Sequence, residues 1–258
     1  MPTALITGAS AGIGKAFAEE LAARHTNLVL VARSQEKLNE LAKQLREKYQ
    51  IQVEIIVEDL TKLEAVNAVF DFTKQKELTI DLLINNAGIA EYGDFVETDE
   101  ERQIQIVQLN VLAVVALTRK FLPLMRQRRS GSIINVSSLA AFQPMPYLSV
   151  YAATKAFIRN FSEALWAENR HYGVRILVCC PGPVDTNFFK NAKFPAGLAQ
   201  RTNKISTPQE VVHKTLQALE QGDSTVVIGG FTTHLITQLA GIVPRKTLVK
   251  ILEKQFQA

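Results

Sequence analysis

A chain of 258 residues, 47% hydrophobic and 21% charged, suits a soluble globular protein with one well-buried core. Its 29 basic against 25 acidic side chains leave +4, enough to favour a small anionic ligand and far short of a nucleic-acid footprint. The only two cysteines are neighbours, Cys179 and Cys180, which disfavours a disulfide between them, and the four histidines show no metal-ligand spacing.

Short apolar runs then alternate with longer amphipathic ones. TALIT (3–7), NLVLVA (27–32), QVEIIV (52–57), DLLIN (81–85), SIINVS (132–137), VRILVCC (174–180) and a weaker STVVIG (224–229) read as buried strands. Helical spacing falls between them, over 13–24, 35–48, 62–76, a long stretch near 100–127, and 151–171. The alternation predicts an α/β fold: a doubly wound, parallel, seven-stranded sheet with helices on both faces, in one domain over 1–258. TALITG already reads as a core strand, so no leader is expected, and IVQLNVLAVVAL reads as too short and too polar to span a bilayer. Free thiols suit a reducing compartment, and the cytoplasm is the expected one.

Two later segments stand apart. Residues 187–206 lack periodicity and carry Phe188, Phe189 and Phe194, a candidate lid, after which Thr207, Pro208 and Glu210 spell a helix start. The tail, 231–258, is amphipathic, with Leu248, Leu252 and Phe256 apolar and Lys246, Lys250 and Lys254 basic. It has three readings: docking on the body or a partner subunit, closing a substrate pocket, or peripheral contact with an anionic membrane surface.

The chemistry begins at TGASAGIG, where Gly8, Gly12 and Gly14 lead the first strand into the first helix. Glycines here permit a tight turn, close backbone approach to a pyrophosphate, and close packing of helix on sheet. The helix N-terminus adds unpaired N–H groups and partial positive charge. Farther on, YAATK places Tyr151 and Lys155 on one helical face. A free phenol titrates near ~10; an ammonium beside it favours the phenolate, so the expected phenol is depressed. The pair then serves as general acid for carbonyl reduction and general base for the reverse.

Thr7, Gly8, Gly12 and Gly14 match T-G-x-x-x-G-x-G, and NNAG (85–88), Asn110, Ser138, YAATK and PGPVDT (181–186) follow in order. In this the chain resembles the short-chain dehydrogenase/reductase family, in its carbonyl-reductase and hydroxysteroid-dehydrogenase-like branch. The resemblance implies a nicotinamide cofactor held by the turn, with Ser10 and Ile13 included, and by Asn86, Ala87 and Gly88 on the adenosine-ribose side. Pro181, Gly182, Val184 and Thr186 would hold the carboxamide. Asp59, with Leu60 alongside, would contact the adenine amino group or simply cap a strand-end turn. Tyr151 becomes the proton donor, and Lys155 its partner and a ribose ligand. Ser138, rather than Ser137, holds the substrate oxygen, and Asn110 holds a water leading from Lys155.

The end of the second strand reads LVLVARS, with Ala32 where NAD-preferring relatives carry Asp. Arg33 follows, either a fork for a 2′-phosphate with Ser34 as a further donor, or a solvated strand-end residue. NADP(H) is therefore expected over NAD(H). A hydrophobic carbonyl substrate, a homodimer through 100–127 and 151–171, and an oxidoreductase activity complete the expectation. The alternative is a non-catalytic NADP-binding regulator of the same fold.

Overall fold

The structure, a computed structural model, describes residues 1–195, 205–230 and 244–257. Seven strands form one sheet: β1 (Thr3–Thr7), β2 (Asn27–Ala32), β3 (Val53–Val57), β4 (Leu82–Asn85), β5 (Gly131–Val136), β6 (Val174–Pro181) and β7 (Thr225–Ile228). Their order is β3-β2-β1-β4-β5-β6-β7, and every pairing is parallel. The order reverses between β1 and β4, and such a switch opens a crevice beyond the carboxyl ends of those strands.

Both faces of the sheet are covered, which explains why its inner strands are apolar nearly throughout rather than alternating, while the edge strand β3 carries Glu54 and an exposed Val57. On one face, Ala4 and Ile6 pack with α1 (Gly12–Ala23), α2 (Gln35–Tyr49) and α8 (Pro208–Gln221), through side chains such as Phe17, Leu41 and Leu216. On the other, Leu5 and Leu83 pack with α3 (Leu63–Gln75) and α5 (Ala113–Gln127), through Val69, Leu117 and Phe121. Cys179 joins the first cluster and Cys180 a separate one with Ile158 of α6 (Ser149–Asn169), so the adjacent thiols face opposite ways, both free and buried.

The helix starts follow local chemistry. Thr207 accepts from the N–H of Glu210 at 3.1 Å, with Pro208 opening α8 as the sequence predicts. α4 (Glu100–Val107) is capped by Asp99, which accepts from Glu101. The expected single helix near 100–127 is continuous but contains a π-helical turn, Gln108–Leu112, between α4 and α5. At 28 residues this run is, against expectation, long and apolar enough by length and composition to cross a membrane. Its buried side chains, Ala113, Leu117, Phe121 and Met125, instead pack on the sheet.

Candidate active site

A cavity of about 1160 Å³ opens where the order of the strands reverses. Gly8, Gly12 and Ile13 from the β1–α1 turn line it, as do Asn86, Ala87 and Gly88 after β4. Ser138, Tyr151 and Lys155 reach the same space, and Pro181, Gly182, Val184 and Thr186 close another side. Residues scattered over nearly the whole chain thus converge.

The turn is built for backbone approach. Gly8 and Gly12 have φ of +66° and +54°, and a Cβ on Gly14 would lie 2.3 Å from the Gly8 carbonyl oxygen. Thr7 ties the turn to β4: its hydroxyl donates to Ile84 O and accepts from the N–H groups of Asn86 and Ala87, both at 3.0 Å. Asn86 returns a bond from Nδ2 to Thr7 O at 2.8 Å. The α1 N-terminus has no side-chain cap and no acidic residue in its first turn, leaving its positive end to an outside anion. Gly14 packs behind the turn rather than lining the cavity, and Ser10 also stands outside the lining.

Arg33, Ser34, Asp59 and Leu60 do not line the main cavity either. They sit on the neighbouring rim, where Ala9 N donates to Val31 O and Glu58 N to Ala32 O. The Arg33 guanidinium is 65% exposed and 4.0 Å from Asp59, a loose exposed pair that leaves the fork open. Asp59 caps its own turn by accepting from Thr61 N and Oγ1, while the Leu60 side chain belongs to the core. A glycine cradle, a bare helix N-terminus and an open arginine at the end of β2 fit a dinucleotide with a 2′-phosphate.

Ser138 lies two residues past β5, in extended backbone, and its Oγ accepts from Ala140 N at 3.1 Å. Its hydroxyl also reaches the Tyr151 phenol. Ser137 also borders the cavity, but its hydroxyl is committed to the backbone oxygen of Lys155, to which it donates at 2.7 Å, which leaves Ser138 as the serine beside the phenol. α6 begins at Ser149, so Tyr151 is already inside the helix rather than opening it. Lys155 is 5% exposed and donates from Nζ to Val136 O at 2.9 Å.

The expected lowering of the Tyr151 phenol is not found. Burial pushes it up to about 12, against a smaller downward pull from Ser138. The same burial pushes the Lys155 amine down to about 8. Helical spacing does bring the two together, with Nζ 5.7 Å from the ring centroid. Removal from water outweighs their pairing.

Asn110 sits behind this pair, 1% exposed, on the π turn. Its Nδ2 donates to Ile89 O and to Thr154 Oγ1, and its Oδ1 accepts from Ile89 N. A Cβ on Gly88 would stand 3.3 Å from Asn110 Oδ1 and 3.4 Å from Lys155 Nζ, so the bare glycine lets both approach. Thr154, read from sequence only as a small spacer, links Asn110 to the helix by donating to Tyr151 O at 2.7 Å. Its place three residues after Tyr151, on the same face, was the available signal. Glu91 left no signal: it is buried, and its 2.5 Å pair with Lys193 fastens the residues after α7 (Phe188–Asn191) to the loop after β4.

This is a doubly wound dinucleotide fold with a Ser-Tyr-Lys constellation at its topological switch. A family profile described as short chain dehydrogenase matches residues 2–195. The chain is 33% identical over 231 residues to an NADP-dependent 3-hydroxy acid dehydrogenase of Schizosaccharomyces pombe, covering 87% of this chain and 89% of that one. A very-long-chain 3-oxoacyl-CoA reductase of Mus musculus is 38% identical over 196 residues, 74% of this chain and 62% of the other. Among solved structures, a short-chain dehydrogenase from Sphingobium yanoikuyae in complex with NADPH superposes with TM-score 0.85 at 31% identity, covering 94% and 93% of the two chains. The chain belongs to the short-chain dehydrogenase family. Several of its relatives are longer, and it spans only 62–64% of three of them.

Proposed function

We propose that the protein is an NADP(H)-dependent oxidoreductase interconverting a hydrophobic carbonyl compound and its secondary alcohol. The observation that carries this reading is the meeting of Ser138, Tyr151 and Lys155 in one cavity with the glycine turn. The cofactor, when bound, supplies or takes up a hydride at the carbonyl carbon. Ser138 donates to the substrate oxygen and fixes its direction. Tyr151, held protonated by its burial, gives its phenolic proton to that oxygen as the C=O becomes CH–OH. In the oxidation, the phenol first gives up its proton, and the phenolate so formed takes the hydroxyl proton as the hydride leaves the carbon. Lys155, held beneath by Val136 O, is the cation that lies nearest to a developing phenolate.

Arg33 supports NADP(H) over NAD(H), because its exposed fork is held only by a loose 4.0 Å pair with Asp59 and suits a 2′-phosphate. The aliphatic and aromatic residues around Tyr151, among them Leu148, Met145 and Phe188, support an apolar substrate. We also infer a homodimer. Ile104, Leu112 and Phe157 are 53%, 51% and 45% exposed on the helices α4 to α6, an apolar face that a second copy would cover. The two free buried thiols favour a reducing compartment, the cytoplasm.

Titration with NADPH and NADH followed by nicotinamide fluorescence tests the reading. NADPH should bind about tenfold more tightly or better, a difference of about 1.4 kcal/mol, and Arg33→Ala should erase the preference. Tyr151→Phe should bind NADPH as the parent does while losing about a hundredfold or more in ketone reduction. Equal affinity for NADH, or undiminished turnover by Tyr151→Phe, would overturn the assignment.

A further inference from the structure

The C-terminal helix α9 (Arg245–Phe256) has only twelve residues, a length at which an isolated helix is marginal in water. It is held by one stripe. Leu248, Leu252 and Phe256 recur every four residues; Leu252 is 5% exposed and the other two are half-buried, while Lys246, Lys250 and Lys254 face solvent. The stripe does not pack on the sheet. It lines the same cavity as Ser138 and Tyr151, so docking on the body and closing the pocket are one arrangement. Two contacts fasten its far end: the Tyr92 hydroxyl donates to Phe256 O, and the Phe256 ring lies 6.4 Å from Phe194. Tyr92 in turn packs its ring, tilted by 58°, against Phe194 at 4.9 Å and donates its N–H to Ala192 O. The loop after β4, the residues after α7 and the tail therefore form one aromatic-bonded cover.

Ile251 is the exception on this helix. It lines the cavity beside Leu252 yet is 55% exposed, so a branched aliphatic side chain is left against open space inside the site. Apolar surface in that position gains only when an apolar group of the ligand covers it. We propose that α9 is the specificity-determining roof of the substrate pocket, with Ile251 the residue that measures the length of the aliphatic group carried by the carbonyl compound. This rests on the oxidoreductase reading for the reaction, but the apolar binding it describes is independent of any chemistry.

The test is a series of straight-chain 2-alkanones, from 2-butanone to 2-decanone, reduced with NADPH by the full-length enzyme and by Ile251→Trp. For the parent, kcat/KM should rise by up to roughly threefold per added methylene as each is buried. Ile251→Trp fills the space. It should cost about tenfold or more with 2-decanone and leave 2-butanone within about threefold, a loss carried by KM. An equal loss at every length, or none, would overturn the roof while leaving the reductase assignment standing. Should the parent reduce no member of the series, the oxidoreductase reading fails, and calorimetry of 2-decanol against the NADPH-saturated protein decides the roof by itself. Binding weakened about fivefold by Ile251→Trp supports it. Unchanged or undetectable binding overturns it. Ile251 is largely exposed, so the substitution tests the pocket rather than the core.

Discussion

Lys155 and Tyr151 are displaced from their ordinary values by a shared cause, and the two displacements act on stability in different pH windows. The Lys155 amine falls from 10.5 to about 8, so between these values the unfolded chain holds the extra proton. Lys155 therefore weakens the folded protein in full below pH 8, and the penalty fades as pH climbs through 10.5. Tyr151, raised from 10.0 to about 12, works against stability only above pH 10, where the unfolded chain alone has lost its proton. Lys155→Met, of similar length without the charge, should be more stable than the parent at pH 7 by about 2–3 kcal/mol. That advantage should shrink to about a quarter by pH 10 and vanish only above 10.5, and activity should be lost. Thermal unfolding at both pH values checks it, and a variant less stable at pH 7 would show that the bond to Val136 outweighs the buried charge. The pair itself was legible, because spacing of four on a helix is a local property. The direction of the phenol shift was not, because burial is set by β5, α6 and the residues after α7 together. Thr154 was overlooked for a similar reason: its partner Asn110 is 44 residues away.

At the scale of elements, the β1–α1 turn has no slack. A methyl group on Gly14 would meet Gly8 O at 2.3 Å and Asn86 Nδ2 at 2.5 Å, and the former is backbone that cannot swing aside. Gly14→Ala should cost about 1–3 kcal/mol or more, lowering the melting temperature by several degrees and weakening NADPH. An unchanged melting temperature would mean that the turn opens freely. The glycine spacing announced this turn from the sequence alone, and the seven strands announced themselves as apolar runs. The π turn at Gln108–Leu112 did not. A run such as QLNVL carries ordinary helical periodicity, and only the shifted backbone bonding distinguishes it. Asn110 inside that run was conspicuous as a polar residue, and its burial with both amide atoms bonded is how the fold meets that cost.

For the whole molecule, the exposed apolar residues on α4, the π turn and α6 predict the assembly. Sedimentation velocity should return twice the chain mass, and Leu112→Asp with Phe157→Asp should return a single copy with its fold intact. A parent that sediments as a monomer at micromolar concentration would remove the dimer. The tail was legible as an amphipathic helix, since Leu248, Leu252 and Phe256 stand at the right spacing. Where it docks depends on Tyr92 and Phe194, which no local pattern connects to it, and the expected lid is described only over 187–195 and 205–206. One feature of the core reaches beyond catalysis. The chain's only cysteines lie back to back on β6, fully enclosed, with their thiols pushed up to about 12 by burial. Neither sulfur reacts unless the packing around β6, the strand next to the β7 edge, opens. A thiol-specific dye added to the native protein is thus a clock for the opening of this side of the sheet, and the pair is a built-in gauge of how long β7 and α8 stay in place.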